Sequence, residues 1–159
     1  MIQDMSSREI DELLSKAPFG RLALAEGQEP YIVPLSYVYT NKAIYFHSWH
    51  EGKKIEIMRS NPKVCFEVDD YKGDTGNWES IISKGIAEEV NDYNEKIMAM
   101  QAFFRKYGTP DVNAHGLMTK NIGKNVGTIT PETYREVMKK VPLKIVKISL
   151  IEITGKKKQ

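Results

Sequence analysis

The chain has 159 residues, of which 41% are hydrophobic and 28% charged, as expected for one soluble globular domain with a full core. Its apolar runs are too short for a membrane span, and residues 1–4 lack the charged-then-apolar layout of a signal peptide. The net charge of +2 includes the lysines of a basic tail at 155–159, so the chain lacks the charge of a nucleic-acid binder. Its single cysteine, Cys65, cannot form an internal disulfide, and we expect a cytoplasmic protein.

The first third of the chain predicts one helix and three strands. Ser6 and Glu9 form a capping-box pattern, and apolar residues at helical spacing follow, which indicates a helix within residues 1–17. Pro34 lies inside the second strand and cannot donate a ladder hydrogen bond, so it indicates an edge, a bulge or an unpaired stretch. The β-branched and aromatic runs that predict the strands lie at 21–25, 31–40 and 43–48.

The remaining chain predicts three helices and three more strands. The helices are expected at 52–60, from Asp92 to about Tyr107, and from Pro131 to near Lys140. The strands are expected at 63–69, 78–90 and 143–154, with polar or glycine-containing loops at 70–77 and 108–128. Gly85 suggests a bulge, and the apolar alternation of the last strand shifts between Leu150 and Ile151, which indicates a bulge or burial of both faces.

Six mostly antiparallel strands with helices in their connections predict a mainly β fold. We expect one domain over 1–159, because no repeat or second core is visible. An open α+β sheet is the alternative, but closure into a six-stranded barrel with peripheral helices removes exposed strand edges and is therefore favoured. Residues 155–159 are expected to form a solvated basic tail.

The segment from Tyr31 to Pro62 carries the chemical signal. Lys53 and Lys54 lie in the first turn of a predicted helix, where the helix dipole disfavours cations. The two ammonium groups, the exposed amides and the hydroxyl of Ser48 would suit a phosphate, and Gly52 would allow close approach. The alternative is that both lysines are solvated. The glycines of 116–124 lack the spacing of a P-loop.

The run PYIVPLSYVY, followed by IYFHSWHEGKK and SNPKVCFEV, resembles the FMN-binding split barrels of the pyridoxamine 5′-phosphate oxidase-like superfamily. FGRLAL, WESIISKGIAEEV and EITGK are similar to its nitroimidazole-reductase branch. The resemblance follows nearly the whole chain and is weakest over 108–142. It implies a six-stranded antiparallel split β-barrel, an FMN cofactor, and a homodimer with FMN at the interface.

The resemblance also implies roles for particular residues. Val33, Pro34, Leu35 and Ser36 would offer backbone groups to the isoalloxazine edge. His47 and Ser48 would lie near the flavin ring and ribityl chain, and Lys53 with Lys54 would hold the phosphate. Residues from Trp78 to Ser80 would approach the cofactor of the other subunit.

His47 is the candidate proton donor and His50 competes with it, although a histidine in an alternating strand is more often structural. Trp49 could stack on the flavin or simply pack its loop. Cys65 is interpreted as a small packed side chain. The acidic residues at 67–74 lack a calcium-loop pattern, so we expect no metal site.

Three functions follow as hypotheses. The first is an FMN-dependent oxidoreductase that transfers electrons from a donor such as NAD(P)H to a small organic acceptor, with nitroaromatic compounds such as nitroimidazoles first. The second is pyridoxamine 5′-phosphate oxidation, which needs a further cationic cluster; Arg135, Lys139 and Lys140 are more simply a solvated helix face. The third is a flavin- or haem-binding protein without turnover, in which His47 or His50 could ligate iron. We expect neither nucleic-acid nor membrane partners.

Overall fold

A computed structural model describes residues 1–49, 51–107, 131–140 and 143–159 of the chain. It confirms the predicted helices and strands, with ends that differ by a few residues, and adds a short strand at the N-terminus. The loop predicted at 108–128 lies outside the described residues. The helices are α1 (Ser7–Lys16), α2 (Lys53–Ser60), α3 (Tyr93–Tyr107) and α4 (Pro131–Lys140). The strands are β1 (Ile2–Asp4), β2 (Gly20–Glu26), β3 (Glu29–Leu35), β4 (Val38–Thr40), β5 (Ala43–Trp49), β6 (Lys63–Lys72), β7 (Asn77–Glu89) and β8 (Leu143–Lys158).

The strands form one antiparallel sheet in the order β3-β2-β6-β7-β8-β5-β4, and β1 pairs with the end of β8. The extended segment 29–40 closes this order into a ring, because its first part pairs with β2 and its last part with β5. The barrel prediction is therefore confirmed, but the strand number of six is wrong, because the described residues contain eight strands. The two extra strands arise because β1 was missed and because the chain breaks at Ser36 and Tyr37 as it moves between neighbours.

A β-bulge bends the sheet between β7 and β8. Lys84 lies opposite Glu152 and Gly85 opposite Leu150, which leaves Ile151 as the extra residue. A Cβ atom on Gly85 would lie 2.6 Å from the carbonyl oxygen of Ser149, so only glycine allows this approach of the two strands. The shift of apolar alternation in the sequence is thus confirmed as a bulge.

The core has two parts. Inward-facing barrel residues such as Leu22, Phe46 and Phe66 pack with Leu14 of α1 and with Ile55 of α2, which covers one end of the barrel. Helix α3 packs outside the barrel, where its apolar face covers Tyr45 and Ile145 of β5 and β8. Among the helices of the described ranges, none is long and apolar enough to cross a bilayer.

The expected basic tail at 155–159 is part of the sheet up to Lys158, although Lys156, Lys158 and Gln159 are exposed to solvent as expected. Residues Lys156 to Lys158 continue β8 and pair with both β1 and β7, so ladder hydrogen bonds hold them on two sides. Lys156 also forms an ion pair with Asp4 at 2.5 Å, and the amine of Lys157 binds the carboxylate of Glu9. That contact, with the amide and hydroxyl of Ser6, lowers the pKa of Glu9 to about 2.

Candidate functional site

Strand β3 carries four predicted site residues along one edge of the sheet. Within the described sheet it pairs only with β2, so of the three alternatives predicted at Pro34 (an edge, a bulge or an unpaired stretch) the structure shows an edge. Val33 and Leu35 turn their side chains toward the barrel core, whereas Pro34 and Ser36 are exposed. The backbone of β3 therefore presents an edge to which a ligand could bind.

His47 and Ser48 follow each other on β5 and consequently face opposite sides of the sheet. The ring of His47 lies on the α3 side, with its centroid 5.0 Å from that of Phe103. Ser48 faces the barrel interior, is 4% exposed, and its hydroxyl has no hydrogen-bond partner among the described residues. The side chain of Trp49 and all of His50 lie outside the described residues.

Helix α2 begins directly after this strand. Its N-cap is Gly52, at φ 149°, which has no side chain to accept from the first amides. The amides of Ile55 and Glu56 both donate to the Gly52 carbonyl, at 2.9 and 3.1 Å. The amides of Lys53 and Lys54 find no acceptor in the part of the chain that the structure describes, so they remain available to a ligand.

The two lysines of α2 differ in their surroundings. The amine of Lys53 is exposed and binds the carboxylate of Glu26, which raises the pKa of the amine. Lys54 is half-buried, has no carboxylate partner within the described ranges, and burial lowers its pKa. Lys54 is therefore the better candidate for an anionic ligand, a distinction that the sequence could not provide.

The start of α2 and the start of β3 lie at the same end of the barrel. The Lys53–Glu26 contact ties α2 to the end of β2, and Glu26 lies opposite Glu29 in the β2–β3 hairpin. At the other end of α2, the side-chain amide of Asn61 donates to the carbonyl of Ala25 at 3.0 Å. The structure thus brings the lysine pair and the edge strand together.

Trp78 and Ser80 lie elsewhere in the protomer. They occupy β7, which is separated from β3 by β2 and β6 in the sheet order. At ~4.8 Å between neighbouring strands, β7 lies about 14 Å from β3 along the sheet. Within one chain, these two residues do not join the site beside β3.

One cation near β3 was missed at the sequence level. The amine of Lys106, on α3, donates to the carbonyl of Tyr37 at 3.1 Å and lies 4.0 Å from the centre of the Tyr37 ring. Burial lowers the pKa of Lys106 to about 8. The sequence around Lys106 gives little indication of a site, because the lysine simply precedes Tyr107 at the end of an apolar helix. Its contact with Tyr37 forms only when the chain folds.

The helix start has no side-chain cap, and neither the Lys54 ammonium group nor the Ser48 hydroxyl has a partner among the described residues. This combination is suited to a phosphate. The space around Gly52 is open, since a Cβ atom there would have no described atom within 4 Å. Over the described ranges, no three His, Cys, Asp or Glu side chains are grouped to hold a metal ion.

Comparison with known proteins identifies related chains. The family model described as pyridoxamine 5′-phosphate oxidase matches residues 6–157. An uncharacterised protein of Rhizobium meliloti (strain 1021) is 32% identical over 89 residues, which span 56% of this chain and 58% of that relative.

Two solved structures show the same fold. A FAD-binding protein from Mesorhizobium loti has 24% identity and a TM-score of 0.70, with 100% of this chain and 99% of that chain covered. A candidate 5-nitroimidazole antibiotic resistance protein from Bacteroides thetaiotaomicron has 21% identity and a TM-score of 0.71, with 99% and 87% covered. These similarities support the split-barrel architecture described above.

Proposed function

We propose that this chain, which belongs to the pyridoxamine 5′-phosphate oxidase family, binds FMN and acts as an oxidoreductase on a small organic acceptor. The observation that carries the proposal is Lys54, a half-buried ammonium group without a carboxylate among the described residues, at the uncapped start of α2. A phosphate would complete this arrangement, because it supplies negative charge to the lysine and acceptors to the amides.

The residues present fit FMN in two respects. Ser48 has a buried hydroxyl that lacks a partner in the described chain, and a phosphate or ribityl oxygen would provide one. The edge of β3, from Val33 to Ser36, would hold the isoalloxazine ring through backbone groups. Lys54 would bind the phosphate directly, while Lys53 would contribute at longer range because Glu26 holds its amine.

Bound FMN would supply two-electron chemistry between a reduced nicotinamide and the acceptor. The protein would position the isoalloxazine ring along β3 and bind the phosphate of FMN at the start of α2. His47 remains a prediction as proton donor. Its ring faces α3, on the opposite side of β5 from Ser48, so a substrate would have to reach it from that side.

We infer a homodimer that places a second chain over the outer face of the sheet. Trp78, Ser80 and Ile82 occupy alternate positions of β7 and face the same side as Ile32 of β3, by the strand registers. Ile32 is 63% exposed and Ile82 47% exposed, so burial of both would favour association. In such a dimer, Trp78 and Ser80 would approach the partner's FMN.

The related FAD-binding protein and the candidate nitroimidazole resistance protein support a flavin and a nitroaromatic acceptor as the first ligands to test. Pyridoxamine 5′-phosphate oxidation is the second candidate function, because the family description names it. An assay for pyridoxal 5′-phosphate formed from pyridoxamine 5′-phosphate and dioxygen distinguishes it from nicotinamide-driven reduction of a nitroaromatic compound.

The test of binding is fluorescence titration of the chain with FMN, FAD and riboflavin. We expect FMN to bind at least about tenfold more tightly than riboflavin, because riboflavin lacks the phosphate. Lys54→Ala should remove most of that difference, whereas Lys53→Ala should have a smaller effect. Equal affinity for FMN and riboflavin in the unmodified chain would contradict a phosphate site at α2.

A further inference from the structure

Among the described residues, no carboxylate forms an ion pair with Lys106. Its amine donates to the carbonyl of Tyr37 and lies 4.0 Å from the Tyr37 ring centre and 5.4 Å from that of Tyr107. The hydroxyl of Tyr107 lies 2.6 Å from the carbonyl oxygen of Tyr37 and 2.8 Å from that of Pro18, and its single hydrogen can be donated to either one. Both tyrosines therefore shield the amine from water without neutralising its charge.

Of the four other half-buried lysines in the described ranges, three have carboxylate partners and the fourth, Lys96, has none there. Lys144, Lys147 and Lys157 each form an ion pair, with Glu89, Glu95 and Glu9 respectively. In the described ranges, neither Lys54 nor Lys106 has a carboxylate partner. A half-buried charge without a partner destabilises a fold, and a bound anion would relieve that cost.

Lys54 and Lys106 lie near opposite ends of the same edge strand. At one end, Lys53 of α2 binds Glu26, which lies beside the beginning of β3. At the other end, Lys106 contacts Tyr37, two residues beyond the last residue of β3. From the start of β3 to Tyr37, residues 29–37 span about 26 Å at ~3.3 Å per residue. A ligand lying along β3 with its phosphate at α2 would extend toward Lys106.

We propose that Lys106 stabilises the negative charge that bound FMN gains on reduction. This inference rests on the proposed function. Hydride transfer from a reduced nicotinamide brings two electrons and one proton to the neutral flavin, leaves the nicotinamide oxidised, and gives the flavin one negative charge. The Lys106 ammonium, near the Ser36 end of β3, attracts this negative charge. Its electrostatic interaction with the neutral oxidised ring is much weaker.

The experiment compares FMN affinity and two-electron reduction potential in the unmodified protein and in Lys106→Met, with the potential measured by equilibration against a redox dye. We expect the FMN dissociation constant to stay within about threefold. Reduction should become at least about tenfold less favourable, which is a potential ~30 mV lower. Lys106→Gln serves as a second neutral variant and Lys106→Arg as the variant that keeps the charge.

Lys96→Met is the matched control, since Lys96 is also half-buried and lies near the opposite end of α3. The inference is supported if Lys106→Met and Lys106→Gln lower the reduction potential of bound FMN, while Lys106→Arg and Lys96→Met leave it unchanged. An unchanged potential in a neutral Lys106 variant overturns it, and so does a large loss of FMN affinity without a potential shift. If the unmodified chain binds no FMN, the proposed function itself fails, which separates the two outcomes.

Discussion

Ser48 offers a test in which stability and binding change in opposite directions. Its hydroxyl is buried and has no hydrogen-bond partner among the described residues, and such a group costs about 1–3 kcal/mol. Ser48→Ala removes the hydroxyl and leaves only a small void. We therefore expect the free energy of unfolding of the flavin-free protein to rise by about 1 kcal/mol.

The same substitution should weaken the holo complex. If Ser48 donates to the FMN phosphate, its loss removes a hydrogen bond to a charged group, worth about 1.5–3 kcal/mol. The FMN dissociation constant should then increase by roughly tenfold or more. Urea unfolding of the flavin-free protein and fluorescence titration with FMN measure the two effects separately.

Ser83 provides the matched control. It lies on β7, is fully buried, and also has an unpaired hydroxyl within the described residues. Ser83→Ala should stabilise the flavin-free protein by a similar amount and leave FMN affinity unchanged. Equal FMN affinity in both variants would refute the placement of Ser48 at the phosphate. A loss of stability in Ser48→Ala would refute the inference of an unsatisfied hydroxyl.

Three further predictions concern the fold. Gly85→Ala should lower stability by about 1–3 kcal/mol and reduce the melting temperature, because its Cβ would lie 2.6 Å from the Ser149 carbonyl oxygen; an unchanged melting temperature would contradict the close approach. Tyr37→Phe should cost about 1–2 kcal/mol in urea unfolding, since the hydroxyl donates to the carbonyl of Leu14 near the end of α1 at 2.7 Å; a neutral effect would contradict this cap. Glu9 has its pKa lowered from 4.5 to about 2, so its stabilising effect is present above pH 4.5 and is lost as the pH falls toward 2. Melting curves of Glu9→Gln and the unmodified protein should therefore differ at pH 6 and converge near pH 2, and parallel curves would contradict this assignment.

Much of the fold could be predicted because its signals are local. The capping box at Ser6 and Glu9 is confirmed, with both reciprocal hydrogen bonds present, and the parity shift before Ile151 is confirmed as a bulge. The break at Ser36 could not be predicted, since it reflects a change of partner from β2 to β5. The pairing of residues 156–158 with β1 was missed because β1 lies at the far end of the sequence.

The candidate site shows the same limit. Two lysines at a helix start predicted an anion site, but only the folded chain shows that Glu26, on another strand, holds the amine of Lys53. Lys106 was overlooked because its environment depends on Tyr37, a residue distant in sequence. Local patterns identified the helix start, whereas the partners of each charged group depended on contacts between residues far apart in the sequence.

The central claim is that this chain carries FMN, and the visible absorption spectrum of the gently purified protein tests it most directly. We predict a flavin spectrum, with FMN identified by mass after release from the denatured protein. A colourless protein that also fails to bind added FMN would contradict the claim. Release of FAD alone would contradict the choice of FMN, and a haem spectrum would direct attention to His47 and His50 instead.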